Sequence, residues 1–206
     1  MKQQTSSKRE AQAAATRVQL LRAARAVFAE RGYAGATVSL ITKRANTAHG
    51  TFYLYFRNKD QAFMEVVEGV MLEVHDKVLG LSVDTATDLR SLLRGALGRF
   101  FDAFAANREI WRTLLEGALS TPAIAERWAT ISRGFHERVK LLLDDLQAAG
   151  LIRPVDAASM AVAMASMGQW MAMSRLLFAP DADDPQFLES MVDVWYHALA
   201  PTEAPD

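Results

Sequence analysis

Apolar residues in this chain recur at helical spacing almost from end to end, and the alternation that a half-buried strand requires is almost absent. Leu20, Leu21, Ala24, Val27 and Phe28 show the pattern, falling at i, i+1, i+4, i+7 and i+8 on one face of a helix. The six prolines, at 122, 154, 180, 185, 201 and 205, sit where helices begin or end or in the tail, so none interrupts a helix interior. The pattern predicts an all-α protein of about nine helices joined by short connections, with neighbours packed antiparallel as a bundle. Half of the 206 residues are apolar, enough for a large buried core.

Punctuation residues set the expected boundaries. Thr16 is a candidate N-cap for a first helix ending at Arg31, with Gly32 placed where a C′ residue of positive φ belongs. Ser7 to Glu10 has capping-box spacing, so that helix starts as early as residue 8 or a basic tail frays ahead of it. Thr37 predicts a short helix at 38–45, Asn46 a left-handed stop, and residues 48–55 a third helix. Asn58 caps a long helix at 59–80 with Gly80 as its stop. Further helices are expected at 87–106, 108–119, 122–149, 156–178 and 185–199, with Thr87, Asn107, Thr121, Asp156 and Asp184 as caps or first-turn residues. Gly150 and Pro154 mark the turn after the longest of them. The expected organisation is a polar, flexible arm at 1–15, a small three-helix domain at 16–60 and a larger helical domain at 61–206.

Charge separates the two parts. Residues 1–60 hold eleven Lys or Arg against three Asp or Glu, whereas the remainder holds twelve against twenty-one. A basic module on an acidic body directs a polyanion to the first segment alone. Cysteine is absent, which excludes disulfides and thiolate metal sites and fits a reducing cytoplasm. The start, MKQQTSSKRE, has no apolar h-region, so no secretory signal is expected.

Residues 37–59, TVSLITKRANTAHGTFYLYFRNK, describe two short helices around a tight turn, the helix-turn-helix layout whose second helix enters a major groove. Ile41, Ala45, Phe52 and Phe56 are the expected core of the pair. His49, Gly50, Thr51, Tyr53, Leu54 and Tyr55 are left facing outward, wholly or in part. Gly50 permits close backbone approach, while His49, Thr51 and Tyr53 offer hydrogen bonds to base edges. Lys59, opening the next helix, suits a phosphate. Leu54 either meets a thymine methyl or packs internally.

With the preceding helix ending FAERGY, then TV-x-x-I, then GTFYLYFRNKDQAF, residues 17–66 resemble the tetracycline-repressor (TetR) family of regulators. Gly50, Thr51, Tyr53, Tyr55, Phe56 and Lys59 match the family pattern G-T-x-Y-x-Y/H-F-x-x-K in register. The resemblance implies base or near-base roles for His49, Gly50, Thr51 and Tyr53 and phosphate roles for Thr37, Tyr55 and Lys59. It also implies a C-terminal helical bundle for ligand binding and dimerisation. The chain departs at Asn46, Thr47 and Ala48, where the family has Gly, an aliphatic residue and Ser. Ala48 removes the usual cap, so Thr47 is the candidate replacement.

In the body, Met160, Met164, Met167 and Met171 form one stripe, which is an adaptable pocket wall, ordinary core or a dimer seam. Phe100, Phe101, Phe104, Trp111, Leu115, Trp128, Phe135 and Trp170 lie on what resemble the family's ligand-binding helices, and are again pocket or core. Arg99, Asn107, His136 and Gln169 either anchor a ligand's polar group or sit at surfaces or satisfy local bonds. The last two helices resemble the family's dimerisation pair, with Met191, Val194, Trp195, Ala198 and Leu199 as an interface strip. Residues 157–174 carry no charge, but their Ala and Ser content suits a buried helix rather than a membrane span. The acidic Asp181, Asp183 and Asp184 lack the remaining oxygen ligands of a calcium loop.

No G-x-S-x-G, G-x-G-x-x-G or Walker motif occurs, and the histidines at 49, 75, 136 and 197 have no metal-ligand spacing. The expectation is therefore a cytoplasmic, nucleoid-associated regulator without metal or cofactor, not an enzyme. Its partners would be operator DNA, a second copy of itself and a mostly apolar small effector, with no membrane. The effector would release a repressor from a palindromic operator, the helix from Lys59 acting as lever. The alternative is an activator, or a DNA-associated scaffold without effector.

Overall fold

The computed structural model describes residues 2–79, 88–178 and 185–201. Among them are nine α-helices and no strand: α1 (Lys2–Gly35), α2 (Val38–Arg44), α3 (His49–Phe52), α4 (Lys59–Leu79), α5 (Leu89–Ala106), α6 (Arg108–Ser120), α7 (Pro122–Ala148), α8 (Ala157–Phe178) and α9 (Pro185–Leu199). Pro122 and Pro185 each open a helix, where the missing N–H has no intrahelical partner to lose. Asp88 caps α5 by accepting from Ser91 N at 3.0 Å, and Asp156 caps α8 by accepting from Ala158 N at 3.2 Å. The bonds from Ser91 and Ser159 hold these two carboxyls below the usual range. Asn107 stands between two helices, closing α5 with its amide donating back to Ala103 O at 2.9 Å and immediately preceding α6, where it was expected. The expected stop at Gly80, the cap at Thr87 and the acidic loop of Asp181, Asp183 and Asp184 lie outside the described residues. No helix of the described residues is long and apolar enough to cross a membrane.

The chain forms two compact units, one of residues up to Val70 with Glu109–Trp128, the other of Met71–Arg108 with the residues from Ala129 on. Helix α1 is already formed at residues expected to be an arm. Its regular geometry breaks at Gly32, whose φ of 68° an L side chain rarely adopts. The break strands two backbone N–H groups, and α6 supplies their acceptor. Glu116 accepts from Tyr33 N through Oε2 and from Ala34 N through Oε1, both at 2.9 Å. A Cβ on Gly32 would stand 2.7 Å from that Oε2, so space and conformation both demand glycine there.

Tyr33 is the hub of the first unit. Its ring packs on Phe63 at 5.4 Å, with Phe28 and Phe63 in contact at 4.7 Å. The hydroxyl donates to Asp60 Oδ1 at 2.6 Å, and Lys59 Nζ donates to Tyr33 O at 2.8 Å while lying 4.5 Å from the ring centre. Burial, then the bond to Asp60, pushes the phenol from its ordinary 10.0 up to about 12. In the second unit, Leu93, Leu97, Leu143, Leu146, Met164 and Val192 lie in one buried cluster drawn from α5, α7, α8 and α9. Arg94 spans from α5 to α9 with two bonds to Glu189, at 2.8 and 2.6 Å. Exposed pairs of this kind contribute little beside the core.

A phenol whose pKa rises on folding stabilises the fold below its unfolded value and ceases to do so as pH climbs through the folded one. Ultraviolet titration should show a tyrosine ionising near pH 12 that is lost in Tyr33→Phe. Stability should fall between pH 10 and 12 in the wild type and fall less in that variant. Glu116→Ala, which leaves two N–H groups without their acceptor, should lower the melting temperature measurably.

Candidate nucleic-acid interface and apolar cavity

Thr37 opens the first candidate site as the α2 N-cap, accepting from Leu40 N at 3.2 Å. At the far end Ala45 closes α2, Gln19 reaching from α1 to donate to Ala45 O at 2.7 Å. Asn46 then takes the left-handed conformation, with φ 49°, that turns the chain toward α3. The expected helix at 48–55 is a single turn, His49–Phe52, followed by turns through Tyr55. Ala48 is its N-cap and gives no side-chain cap bond. Thr47 does not take the role: its Oγ1 is buried and without a hydrogen-bond partner among the described residues. An uncapped start is one physical reason the helix stays short.

Packing sorts the aromatic residues. Phe52 and Phe56 are buried, rings 5.1 Å apart, together with Ile41 and Ala45. Tyr53 is 53% exposed and Leu54 79%, which removes the reading of Leu54 as internal packing. His49 and Gly50 are exposed, the His49 ring 5.5 Å from that of Tyr53, and Thr51 and Tyr55 are half-buried. Gly50 has an ordinary backbone, and nothing lies within 4 Å of where its Cβ would be. The fold itself therefore does not require glycine at 50. Lys59, expected to pair with a phosphate, donates from its ammonium to Tyr33 O and, at 3.3 Å, to Ala36 O.

Part of the positive charge of this segment is already paired, Arg17 with Glu65 and Arg44 with Glu30. Lys43, Arg57 and Leu40 are exposed in the same stretch, and none of the three was expected as a site residue.

The second unit holds an apolar cavity of about 80 Å³. Its walls are Val78 of α4; Leu92, Leu93, Ala96, Leu97 and Phe100 of α5; Phe135, Val139, Leu142, Leu143 and Leu146 of α7; Met164, Ala165 and Gly168 of α8; and Trp195 and Leu199 of α9. Among the expected pocket residues, Phe100, Phe135 and Met164 stand in this wall. Phe104 is buried behind Phe100 at 4.7 Å, and Met167 and Met171 pack half-buried against the core. Trp111, Leu115 and Trp128 belong to the first unit, where the two indoles meet at 5.9 Å. Trp170 is 62% exposed and takes no part in the wall. It lies two residues beyond Gly168, which turns it about 200° around the helix.

The expected dimer strip on α9 divides in the same way. Met191 and Leu199 are buried within their own unit and Trp195 lines the cavity, while Val194 is 55% exposed and Ala198 half-buried. Residues at i, i+4 and i+8 turn inward, so only the other edge of the strip remains for a partner. Burial lowers the pKa of His136 below its ordinary 6.5. No cluster of His, Cys, Asp and Glu suited to a metal ion occurs among the described residues.

Residues 20–66 match the family model described as bacterial regulatory proteins, tetR family, and residues 93–200 match that of the transcriptional regulator EthR C-terminal domain. The chain is similar to the HTH-type transcriptional regulator EthR of Mycobacterium tuberculosis, with 23% identity over 188 residues, 87% of this chain and 85% of that one. Its fold is similar to that of the fatty acid degradation regulator FadR from Bacillus halodurans, with a TM-score of 0.71 and 23% identity over 86% of this chain and 93% of that one. FadR from Bacillus subtilis, solved in complex with stearoyl-CoA, is similar to the same degree, with a TM-score of 0.71 and 21% identity over 86% of this chain and 96% of that one.

Since the fold makes no use of the missing Cβ at position 50, Gly50→Ala should melt with the wild type yet bind duplex DNA at least about tenfold more weakly. Fluorescence anisotropy on a labelled duplex, beside a thermal melt, measures both.

Proposed function

The chain belongs to the tetR family of bacterial regulatory proteins and is a DNA-binding transcriptional regulator, and from that premise we propose that it is a repressor released from a palindromic operator by a mostly apolar small molecule. The observation that carries this reading is a hydrocarbon-walled cavity in the unit that does not contain the reading residues. Thr37, His49, Gly50, Thr51, Tyr53 and Tyr55 meet DNA. Lys59 acts chiefly by fixing Tyr33 and the start of α4, with one N–H left for a phosphate.

The protein acts in the cytoplasm as a homodimer. Val162 and Trp170 of α8 and Val194 of α9 are large apolar side chains about half or more exposed, and they support a partner surface there. Two recognition helices about 34–36 Å apart then read the two half-sites. Helices α4 and α7 each contribute residues to both compact units, so a ligand that shifts either changes the spacing of the half-site readers. A coupling of about 1–3 kcal/mol between sites changes DNA affinity roughly 5–150-fold. The stearoyl-CoA bound by FadR of Bacillus subtilis supports an apolar chain as the kind of effector a fold of this type accommodates.

A panel of apolar small molecules added to the protein on a duplex recovered by selection from a random pool tests the reading. At least one compound should release the wild type. Ala96→Leu, which fills the cavity, should keep DNA affinity and lose release. Release undiminished in Ala96→Leu would move the effector away from this cavity.

A further inference from the structure

We infer that the cavity takes a compact, uncharged guest of about six to eight non-hydrogen atoms, a single ring with a short alkyl substituent, and rejects larger or charged molecules. This takes the cavity as the effector's site, as proposed above, and sets the effector's size and charge.

Size follows from volume. A water-sized group needs at least about 10–15 Å³ of such space, so a cavity of about 80 Å³ holds roughly five to eight of them. A methyl group or an aromatic CH is of similar bulk, which gives the guest about as many non-hydrogen atoms. Making more room is costly, because the walls are also core. Leu93 and Leu97 of α5 and Leu143 and Leu146 of α7 line the cavity and belong to the buried cluster of the second unit. Driving them apart breaks close packing on both sides of the wall. On α8 the helix backbone itself comes close. A Cβ on Gly168 would lie 3.5 Å from the Phe100 ring and 3.8 Å from that of Trp195, so both rings sit against the helix there. The Phe100 and Phe135 rings stand 6.5 Å apart. Three aromatic side chains in the wall favour a ring as guest, through the offset and edge-to-face contacts that such pairs prefer.

Charge is excluded by the same lining. No lining residue carries a formal charge, and the only side-chain N–H among them is that of Trp195. An ammonium or a carboxylate would give up its water for hydrocarbon without a counter-ion on the wall. A long amphiphile can leave its head group in water while its tail is buried. In a guest this compact, a charge lies within a few bonds of every apolar atom and is desolvated with them.

Calorimetric titration of the full-length protein with toluene, benzylammonium and biphenyl tests this. Toluene should bind with a dissociation constant below about 1 mM, and the other two at least about tenfold more weakly. Biphenyl has the larger apolar surface, so a merely greasy site would prefer it. Ala96→Leu should abolish toluene binding. Leu142→Ala, which shortens one wall residue, should bind biphenyl at least about tenfold more tightly than wild type does. Should Leu142→Ala melt early, Leu92→Ala makes the same comparison from α5. Benzylammonium or biphenyl bound by the wild type as tightly as toluene overturns the inference. So do no binding of toluene, toluene binding unchanged in Ala96→Leu, and biphenyl still excluded from the enlarged variant. Failure of the effector-site reading shows separately, as release undiminished in Ala96→Leu in the assay above.

Discussion

The first unit depends on how the end of α1 is held. Gly32 breaks the helix in a conformation that leaves the N–H groups of Tyr33 and Ala34 pointing out of it, and the carboxylate of Glu116 accepts both. Lys59 holds the carbonyl of Tyr33 from the start of α4, and Asp60 holds its hydroxyl. Helices α4 and α6, distant in sequence, are therefore tied to the last turn of α1. Thr37, α2, the left-handed Asn46 and α3 come next along the chain, so the direction of the DNA-reading segment is set from this anchor. Bonds between a charged side chain and backbone groups are stronger than neutral ones, and here they act at a helix end that would otherwise fray.

Much of this was legible in the sequence because it depends on residue type and local spacing. Gly32 and Asn46 have the positive φ that their chemistry tolerates, Thr37 and Asp156 cap as their position suggests, and Phe52 and Phe56 face inward as the two-helix pattern requires. Failures came where an interaction is long-range or where one sector of a helix had to be chosen. Glu116 lies 83 residues from Tyr33, and no spacing rule links them. The carbonyl partners of Lys59 are supplied by residues far from it in sequence, so no local spacing rule pointed to them. Trp170 and Trp111 carry the same apolar chemistry as Phe100, yet one faces outward and the other is buried in the first unit. Aromatic content names a candidate wall, whereas helix rotation decides which residues stand in it.

The two sites follow opposite physical rules. The residues proposed to meet DNA are largely exposed and polar, and nothing in the fold requires glycine at position 50. The cavity is apolar, its walls supplied by side chains of α4, α5, α7, α8 and α9. The proposed division, a polyanion recognised by one compact unit and an apolar effector by the other, lets each surface be shaped without compromising the other. The acidic excess beyond residue 60 fits this division, since it discourages DNA from the body while the basic segment attracts it.

Footprinting of the purified protein on DNA flanking its own gene, repeated at rising salt, tests the central claim most directly. A sequence-reading dimer should protect one discrete, near-palindromic segment with half-sites about one helical turn apart, and its affinity should fall steeply as salt rises. Uniform weak protection along the DNA, or affinity indifferent to salt, would contradict the assignment of residues 37–59 as a sequence-reading module.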